Sequence, residues 1–320
     1  MNPTIRRRLR LGAIAAVLAG QALLAPAAAH AVTLGEVYQT GGTLRYDAGN
    51  MNNTVIVSRD GSTIVFTDTV DMIAGTNCGY PVLTDHRRVA CSASGVTAIR
   101  VNGNGGADYI DSNVDLPSTL WGGADDDNLM GGPADDILRG DGGADRMVGG
   151  PGRDGVTYYG YSGNVTADLD GVRDDGLYLE LDLIGSDVED LYGGDGDDVL
   201  TGNSAANYFH GNDGDDTIRG LGGEDNLHGG YGSDDLYAGD GDDTVYAGPD
   251  ADYADGGIGA DAMYGDTGDD SLYGNYGIDV IFAEEGNDLL RGGPDLDHLH
   301  GGDGGDVCDD TTVIIAISCE

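Results

Sequence analysis

The chain has 320 residues and a formal net charge of −42, because 57 Asp and Glu face only 15 Arg and no Lys. A surface this acidic argues against nucleic acid and anionic membranes as partners, since both attract Arg and Lys. The 58 Gly, with only 3 Phe and 1 Trp, leave too few large apolar residues to anchor a conventional core. If the chain folds, bound cations are the natural means of offsetting its self-repulsion.

Residues 1–31 have the composition of a signal peptide. Four Arg before residue 11 precede an apolar run at 11–24, and AHA at 29–31 has the small-x-small form of a cleavage site. A transmembrane anchor is the alternative, but the run has only about 14 residues where about 20 are needed to span a bilayer. We therefore expect cleavage after Ala31, a secreted, extracellular protein and no membrane span.

Residues 32–100 contain short β-prone runs separated by Gly, Asn and Asp. The runs TLRY at 43–46, TVIV at 54–57 and TIVF at 63–66 are rich in β-branched and aromatic residues. We interpret this region as a small N-terminal β cap that covers the first strands of the following region.

A nine-residue period governs most of the remaining chain. Thirteen units follow one another without insertion at 193–309, and the first reads GGDGDDVLT. An earlier block at 101–157 contains four units from residue 122 and a further unit from residue 103. The sixth position is Asp in all of these units except one, which has Asn207, and the eighth position is always apolar or small.

This spacing indicates a turn followed by a short strand. One inward apolar residue between two outward ones fits a three-residue strand, and the six preceding Gly- and Asp-rich residues fit a turn. A single nonapeptide buries almost nothing, so the units must stack into a solenoid to be stable. A disordered acidic tail, the alternative, does not explain why the eighth position stays apolar.

The units resemble the hemolysin-type calcium-binding repeats of the RTX family, whose consensus is G-G-x-G-x-D-x-U-x. The region that runs into them is similar to that of secreted actinobacterial calcium-binding repeat proteins. The resemblance implies an all-β fold, a right-handed parallel β-roll in which two nonapeptides form one turn. It also implies multiple Ca²⁺ ions between successive turns, bound by the sixth-position Asp and by turn carbonyl oxygens.

With two units per turn, each implied ligand is paired with the one 18 residues further on. Asp198 would thus share its ion with Asp216 rather than with Asn207. Hard oxygen ligands suit Ca²⁺; Mg²⁺ is the alternative, disfavoured because it loses its water reluctantly. Departures from the consensus, which predict weaker sites, are Asn207 at the sixth position, Asp250 and Asp295 at the fourth, and Ala238, Ala247 and Ala283 at the first. The implied metal ligands are Asp108, Asp127, Asp136, Asp145, Asp154, Asp198, Asp216, Asp225, Asp234, Asp243, Asp252, Asp261, Asp270, Asp279, Asp288, Asp297 and Asp306.

Residues 158–192 break the period and form an irregular insert between the two blocks. The period resumes near Glu189 and Leu191, which predicts one continuous roll with a side excursion. The carboxylates of the insert have two interpretations, an irregular calcium site or a solvated acidic loop, and we favour the loop. These residues are Asp168, Asp170, Asp174 and Asp175.

With two units per turn, every second unit of the second block contributes its strand to the same sheet. The ninth positions of these alternate units predict a ladder of rings on the outer face of one sheet. Neighbouring strands lie about 4.8 Å apart, so ninth-position side chains of alternate units should stack. We favour stabilisation by cross-strand stacking over the alternative, a platform that binds a glycan or another cell-surface partner. The residues of this ladder are His210, His228, Tyr246, Tyr264, Phe282 and His300.

Four Cys in two local pairs suggest two disulfides in an exported protein. We favour Cys78 with Cys91 and Cys308 with Cys319; other pairings and free thiols remain open. Residues 310–320 consist of Asp310 and the sequence TTVIIAISCE. We predict that they form a C-terminal cap held by the second disulfide.

Catalytic motifs are missing from the sequence. Neither HExxH nor GxSxG occurs, although an activity within residues 32–100 stays open. A zinc site at His298 and His300 is a minor alternative. We expect a secreted calcium-binding protein that folds on binding Ca²⁺ and serves a structural or adhesive role. The alternative is an enzyme or toxin that acts on an extracellular polymer and uses the roll as a scaffold.

Overall fold

The computed structural model describes residues 34–309 and Cys319, so the predicted signal peptide and almost all of the predicted C-terminal cap lie outside the described residues. All regular structure in the described part of the chain is β-strand. A search of that part found no helix long and apolar enough to cross a membrane.

The strands follow the chain in four groups. The N-terminal region contains β1 (Gly35–Thr40), β2 (Thr43–Asp47), β3 (Thr54–Asp60), β4 (Thr63–Thr67), β5 (Met72–Ala74), β6 (Cys78–Gly79) and β7 (Arg88–Ser92). The first block contains β8 (Ala98–Gly105), β9 (Tyr109–Asn113), β10 (Ser118–Ala124), β11 (Asn128–Met130), β12 (Ile137–Gly142), β13 (Arg146–Val148) and β14 (Gly155–Thr157). The insert contains β15 (Val165–Asp168), β16 (Arg173–Leu177), β17 (Asp182–Ile184) and β18 (Asp190–Tyr192). The second block contains β19 (Val199–Thr201), β20 (Tyr208–Asp213), β21 (Thr217–Gly222), β22 (Asn226–Tyr231), β23 (Asp235–Asp240), β24 (Thr244–Pro249), β25 (Tyr253–Ile258), β26 (Ala262–Thr267), β27 (Ser271–Tyr276), β28 (Val280–Gly286), β29 (Leu289–Arg291), β30 (His298–Gly304) and β31 (Val307–Cys308).

Successive strands of the repeats alternate between two parallel sheets. Sheet A has the order β30-β28-β26-β24-β22-β20-β18-β14-β12-β10-β8-β2-β1-β5. The odd-numbered repeat strands form the opposite sheet, sheet B. Leu227 pairs with Val245 in sheet A, and Leu200 pairs with Ile218 in sheet B. This offset of 18 residues is two nonapeptides, so the predicted parallel β-roll, with two units per turn, is confirmed.

The core is a column of single side chains between the two sheets. The eighth-position residues of the repeats, such as Leu138, Phe209 and Leu272, are fully buried, while both of their strand neighbours face outward. Because each rung contributes one such residue per sheet, the fold depends on stacking many rungs.

The N-terminal region extends both sheets of the roll. Strand β2 pairs in parallel with β8, and β3 pairs in parallel with β9. Each then turns back in an antiparallel hairpin, β2 with β1 and β3 with β4. The strands that pair with the first rungs of the repeats are thus followed by antiparallel partners at the N-terminal end of both sheets.

The roll continues through the insert. In sheet A, β14 pairs directly with β18, and β18 with β20, so Val156, Leu191 and Phe209 follow one another in register. In sheet B, β13 pairs with β17 and β15 pairs with β19, with β16 antiparallel between them. The extra residues thus form a local excursion on the sheet B side.

Candidate calcium sites and the ring ladder

The sixth-position aspartates form two columns along the turns of the roll. Within a column, the backbone amide of each residue donates a hydrogen bond to Oδ1 of the Asp one turn further on. Asp216 donates to Asp234 at 2.8 Å, and Asp225 donates to Asp243 at 2.7 Å. In the second block, one column contains Asp198, Asp216, Asp234, Asp252, Asp270, Asp288 and Asp306. The other contains Asn207, Asp225, Asp243, Asp261, Asp279 and Asp297.

The second carboxylate oxygen of most of these residues is buried without a hydrogen-bond donor among the described residues. Asp198 differs, because its Oδ2 accepts from the amide of Gly194 at 2.6 Å. A buried carboxylate oxygen with no partner is costly, so each of them calls for a proton or a cation. The residues with such an Oδ2 are Asp108, Asp127, Asp136, Asp145, Asp154, Asp216, Asp225, Asp234, Asp243, Asp252, Asp261, Asp270, Asp279 and Asp288.

Backbone carbonyl oxygens converge on the same points. A Cβ built on Gly265 would meet Oδ2 of Asp270 and would lie 2.6 Å from the carbonyl oxygen of Ala283. A Cβ on Gly274 would meet Oδ2 of Asp279 and lie 2.8 Å from the carbonyl oxygen of Gly292. The space beside the first position is therefore lined by a carboxylate oxygen and by a carbonyl oxygen from the next turn. Oxygen-only surroundings of this kind fit Ca²⁺.

Burial makes these carboxylates hard to ionise. Desolvation raises the pKa of Asp216 and Asp252 to about 8, and that of Asp234 and Asp261 to about 7, although each accepts a backbone hydrogen bond that opposes the shift. Neighbouring aspartates in the same column raise the pKa of Asp216 and Asp252 further. A cation held between them would reverse this, because it favours the ionised form.

Three residues outside the predicted ligand set also continue the columns, two of them in the insert and one in the first block. The amide of Asp145 donates to Oδ1 of Asp182 at 2.9 Å, and the amide of Asp154 donates to Oε2 of Glu189 at 2.8 Å. At the start of the first block, Ser118 takes the place of an Asp and donates to Asp136. Only Glu189 carries a sequence signal, since it lies at the sixth position of the resumed period.

The insert carboxylates divide into two groups. Ligand oxygens of Asp168, Asp170 and Asp174 lie within 4.8 Å of one another, and this trio is the cluster of three potential metal ligands found in the described chain. Asp175 is separate: it is buried and accepts from the amides of Asp168 and Ile184. The predicted group of four is thus not one site, and two members of the trio are exposed.

The predicted ring ladder stacks along sheet A. Ring centroids are 5.6 Å apart for His210 and His228, 4.6 Å for His228 and Tyr246, and 4.9 Å for Tyr246 and Tyr264, with interplanar angles of 8°, 15° and 9°. Phe282 stacks on Tyr264 at 5.7 Å. Both faces of each inner ring are therefore covered, and only ring edges reach the solvent.

The ladder has further members and a counterpart. Tyr192 pairs in register with His210, and Tyr208 lies 5.1 Å from His228, so both rings join its start. His300 ends it with a tilted ring 5.7 Å from Phe282. On sheet B the outward side chains are not all rings, because arginines lie among the tyrosines. Arg219 lies over the ring of Tyr237, and Arg291 lies over the ring of Tyr273. This arrangement favours the stacking interpretation of the ladder over a flat binding platform.

Both disulfides form as predicted. Cys78 and Cys91 are paired across β6 and β7, and Cys308 is joined to Cys319. The first links β6 to β7 in the N-terminal region, and the second joins Cys319 to β31 of sheet B.

Comparison with known protein families identifies the repeats. The profile of the RTX calcium-binding nonapeptide repeat matches residues 121–156, 184–218, 192–227, 210–245, 219–254, 237–272 and 273–308, which together cover half of the chain. The chain belongs to this family, and it is a calcium-binding β-roll protein. A search of curated proteins found no match.

Proposed function

We propose that this chain is an exported protein that folds into its roll on binding Ca²⁺ outside the cell, where it serves a structural or adhesive role. The observation that carries this proposal is the pair of carboxylate columns, in which most members, such as Asp216 and Asp243, have an Oδ2 that is buried without a donor among the described residues. Folding with these groups ionised and unpaired would be strongly disfavoured. A divalent cation between neighbouring turns removes that cost, with the sixth-position aspartates and the turn carbonyls as its ligands.

Calcium concentration then acts as the folding switch. Extracellular calcium modules bind with dissociation constants of about 0.1–1 mM. A site held at ten times its constant adds about 1.4 kcal/mol to the stability of the folded state. Several sites stacked in one roll act together, so the chain would stay unfolded at low calcium and fold after export.

Two features support an extracellular setting. The N-terminal segment has the charge, apolar run and AHA sequence of a signal peptide. Disulfides such as Cys78–Cys91 persist in oxidising compartments. Together with the calcium requirement, they favour secretion.

A structural or adhesive role fits the shape of the roll. Stacked turns present long lateral faces, which solenoids commonly use to bind partners. We propose that the roll itself is non-catalytic and that its partner is a glycan or protein of a cell surface.

Counting bound metal tests the calcium proposal directly. The mature chain would be dialysed against Ca²⁺ or against an equal concentration of Mg²⁺, and protein-bound metal measured by elemental analysis. We expect several Ca²⁺ per chain and little Mg²⁺. Binding of no more than one Ca²⁺ per chain, or equal binding of both metals, would refute the assignment of the columns.

A further inference from the structure

A groove of about 380 Å³ runs beside the ring ladder on sheet A. Gly230 and Gly248 belong to its lining and add no side chain to it. His228 and Tyr246 of the ladder line the groove, and so does Tyr231. Tyr159, Asp195 and Asp213 belong to the lining as well.

Two of these rings differ from those of the ladder. Tyr246 is stacked on both faces, by His228 and Tyr264. In contrast, Tyr159 and Tyr231 are 66% and 67% exposed, and within the described part of the chain neither has a ring or guanidinium stacked on it. The groove is therefore lined by two exposed rings on which no other ring is stacked, unlike the rings of the ladder.

The electrostatics of the groove favour a cation. Asp195 and Asp213 are exposed carboxylates, and burial lowers the pKa of His210 and His228, which keeps both rings neutral near pH 7. Arg139 approaches nearby and donates to the carbonyl oxygen of Tyr159, but its charge is engaged by Asp141 at 2.5 Å. Aromatic faces combined with carboxylates are the surroundings that bind guanidinium and ammonium groups.

We propose that this groove binds an arginine or lysine side chain of a basic polypeptide segment, with Tyr159 and Tyr231 contacting the cation by their faces and Asp195 and Asp213 pairing with it. A side chain of this kind fits the volume of the groove, and the net charge of −42 attracts basic partners. The inference deepens the proposed adhesive role and rests on it, because it names the chemistry of the partner.

The test uses the mature chain in saturating calcium at physiological ionic strength. The probe is a fluorescein-labelled tri-arginine peptide, read by anisotropy. Combining Tyr159→Ala with Tyr231→Ala should weaken binding by about tenfold, and Asp213→Asn by about threefold. Tyr276→Ala and Asp240→Asn are matched controls, because both residues are exposed at the third position of units on the other edge of the roll. Both controls should leave affinity within about twofold of the parent.

The outcomes separate the possibilities. If Tyr231→Ala weakens binding no more than Tyr276→Ala does, the peptide binds by general charge attraction and the groove is not the site. If the groove variants abolish binding of cellohexaose, a neutral oligosaccharide, without affecting the peptide, the ligand is a glycan and the proposal is wrong. Circular dichroism of the same samples reports calcium-dependent folding independently, so failure of the groove is distinguishable from failure of the folding switch.

Discussion

The backbone amide of Asp198 donates to Oδ1 of Asp216 at 2.7 Å, across one full turn of the roll. The same bond recurs on every following turn of this column, so one oxygen of each carboxylate fixes the register of the rungs. The other oxygen is left for a proton or a metal ion in most members. Folding and calcium binding are coupled because they use two atoms of the same side chain.

Neutralising one buried carboxylate should weaken calcium binding, whereas neutralising its exposed neighbour should not. Asp234 accepts from Asp216 through Oδ1 and has a buried Oδ2, while Asp235 points outward. Asp234→Asn keeps the size and the acceptor but removes the charge. We expect it to raise the calcium concentration at the folding midpoint by about three- to tenfold. Asp235→Asn removes the same charge and should match the parent; equal shifts in both variants would contradict the assignment.

In the presence of a chelator, lowering the pH should partly replace calcium in stabilising the folded chain. A carboxyl group whose pKa is raised by folding binds its proton more tightly in the folded chain, so its stabilising contribution is present at low pH and lost as pH rises. The pKa is about 8 for Asp216 and Asp252 and about 6 for Asp270 and Asp279, against an ordinary value of 3.8. The β signal of the metal-free chain should therefore increase between about pH 8.5 and about pH 5.

Burial lowers the pKa of His210 and His228, so their protonation opposes folding, and a gain of β signal on acidification therefore reports the buried carboxyl groups. Circular dichroism in excess EDTA measures it. A β signal that is constant over this range, or that decreases with acid, would show that the buried carboxylates do not limit folding.

Removing one ring from the middle of the ladder should destabilise the roll. Tyr264 stacks on Tyr246 and on Phe282, and each aromatic pair contributes about 0.5–1.5 kcal/mol. Tyr264→Ala should lower the free energy of unfolding by about 1–3 kcal/mol at fixed calcium. Tyr264→Phe keeps the stack and should be near neutral. Denaturant unfolding checks both, and equal losses in the two variants would assign the effect to the hydroxyl rather than to stacking.

The disulfide of the N-terminal region should stabilise the start of the roll. Cys78 and Cys91 are 13 residues apart in sequence and link β6 to β7. A cross-link over a loop of this length typically contributes about 3 kcal/mol by restricting the unfolded chain. Cys78→Ala combined with Cys91→Ala should lower the unfolding temperature in saturating calcium. An unchanged temperature would indicate that this hairpin unfolds separately from the roll.

The nine-residue period predicts the fold and the two columns of aspartates because every repeat forms the same turn and the same short strand. The apolar eighth position of Leu200 and Ile218 defines the core, and the sixth position pairs Asp198 with Asp216 before any coordinates are known. Asp182 could not be found in this way, because the insert places it 37 residues after Asp145 instead of 18.

The ring faces could not be predicted either. The sequence places Tyr246 and Tyr264 on neighbouring rungs, but whether a ring presents its face or its edge depends on side-chain rotation. The groove between the ladder and Tyr231 depends in addition on Tyr159, whose position is set by the irregular insert.

A calcium titration followed by far-ultraviolet circular dichroism tests the central claim most directly. Starting from chelator at neutral pH, the parent chain should show little β structure and should gain it in one cooperative transition as free Ca²⁺ enters the range of about 0.1–1 mM. Full β structure in excess chelator, unchanged by added calcium, would show that the roll folds without its ions and would contradict the account.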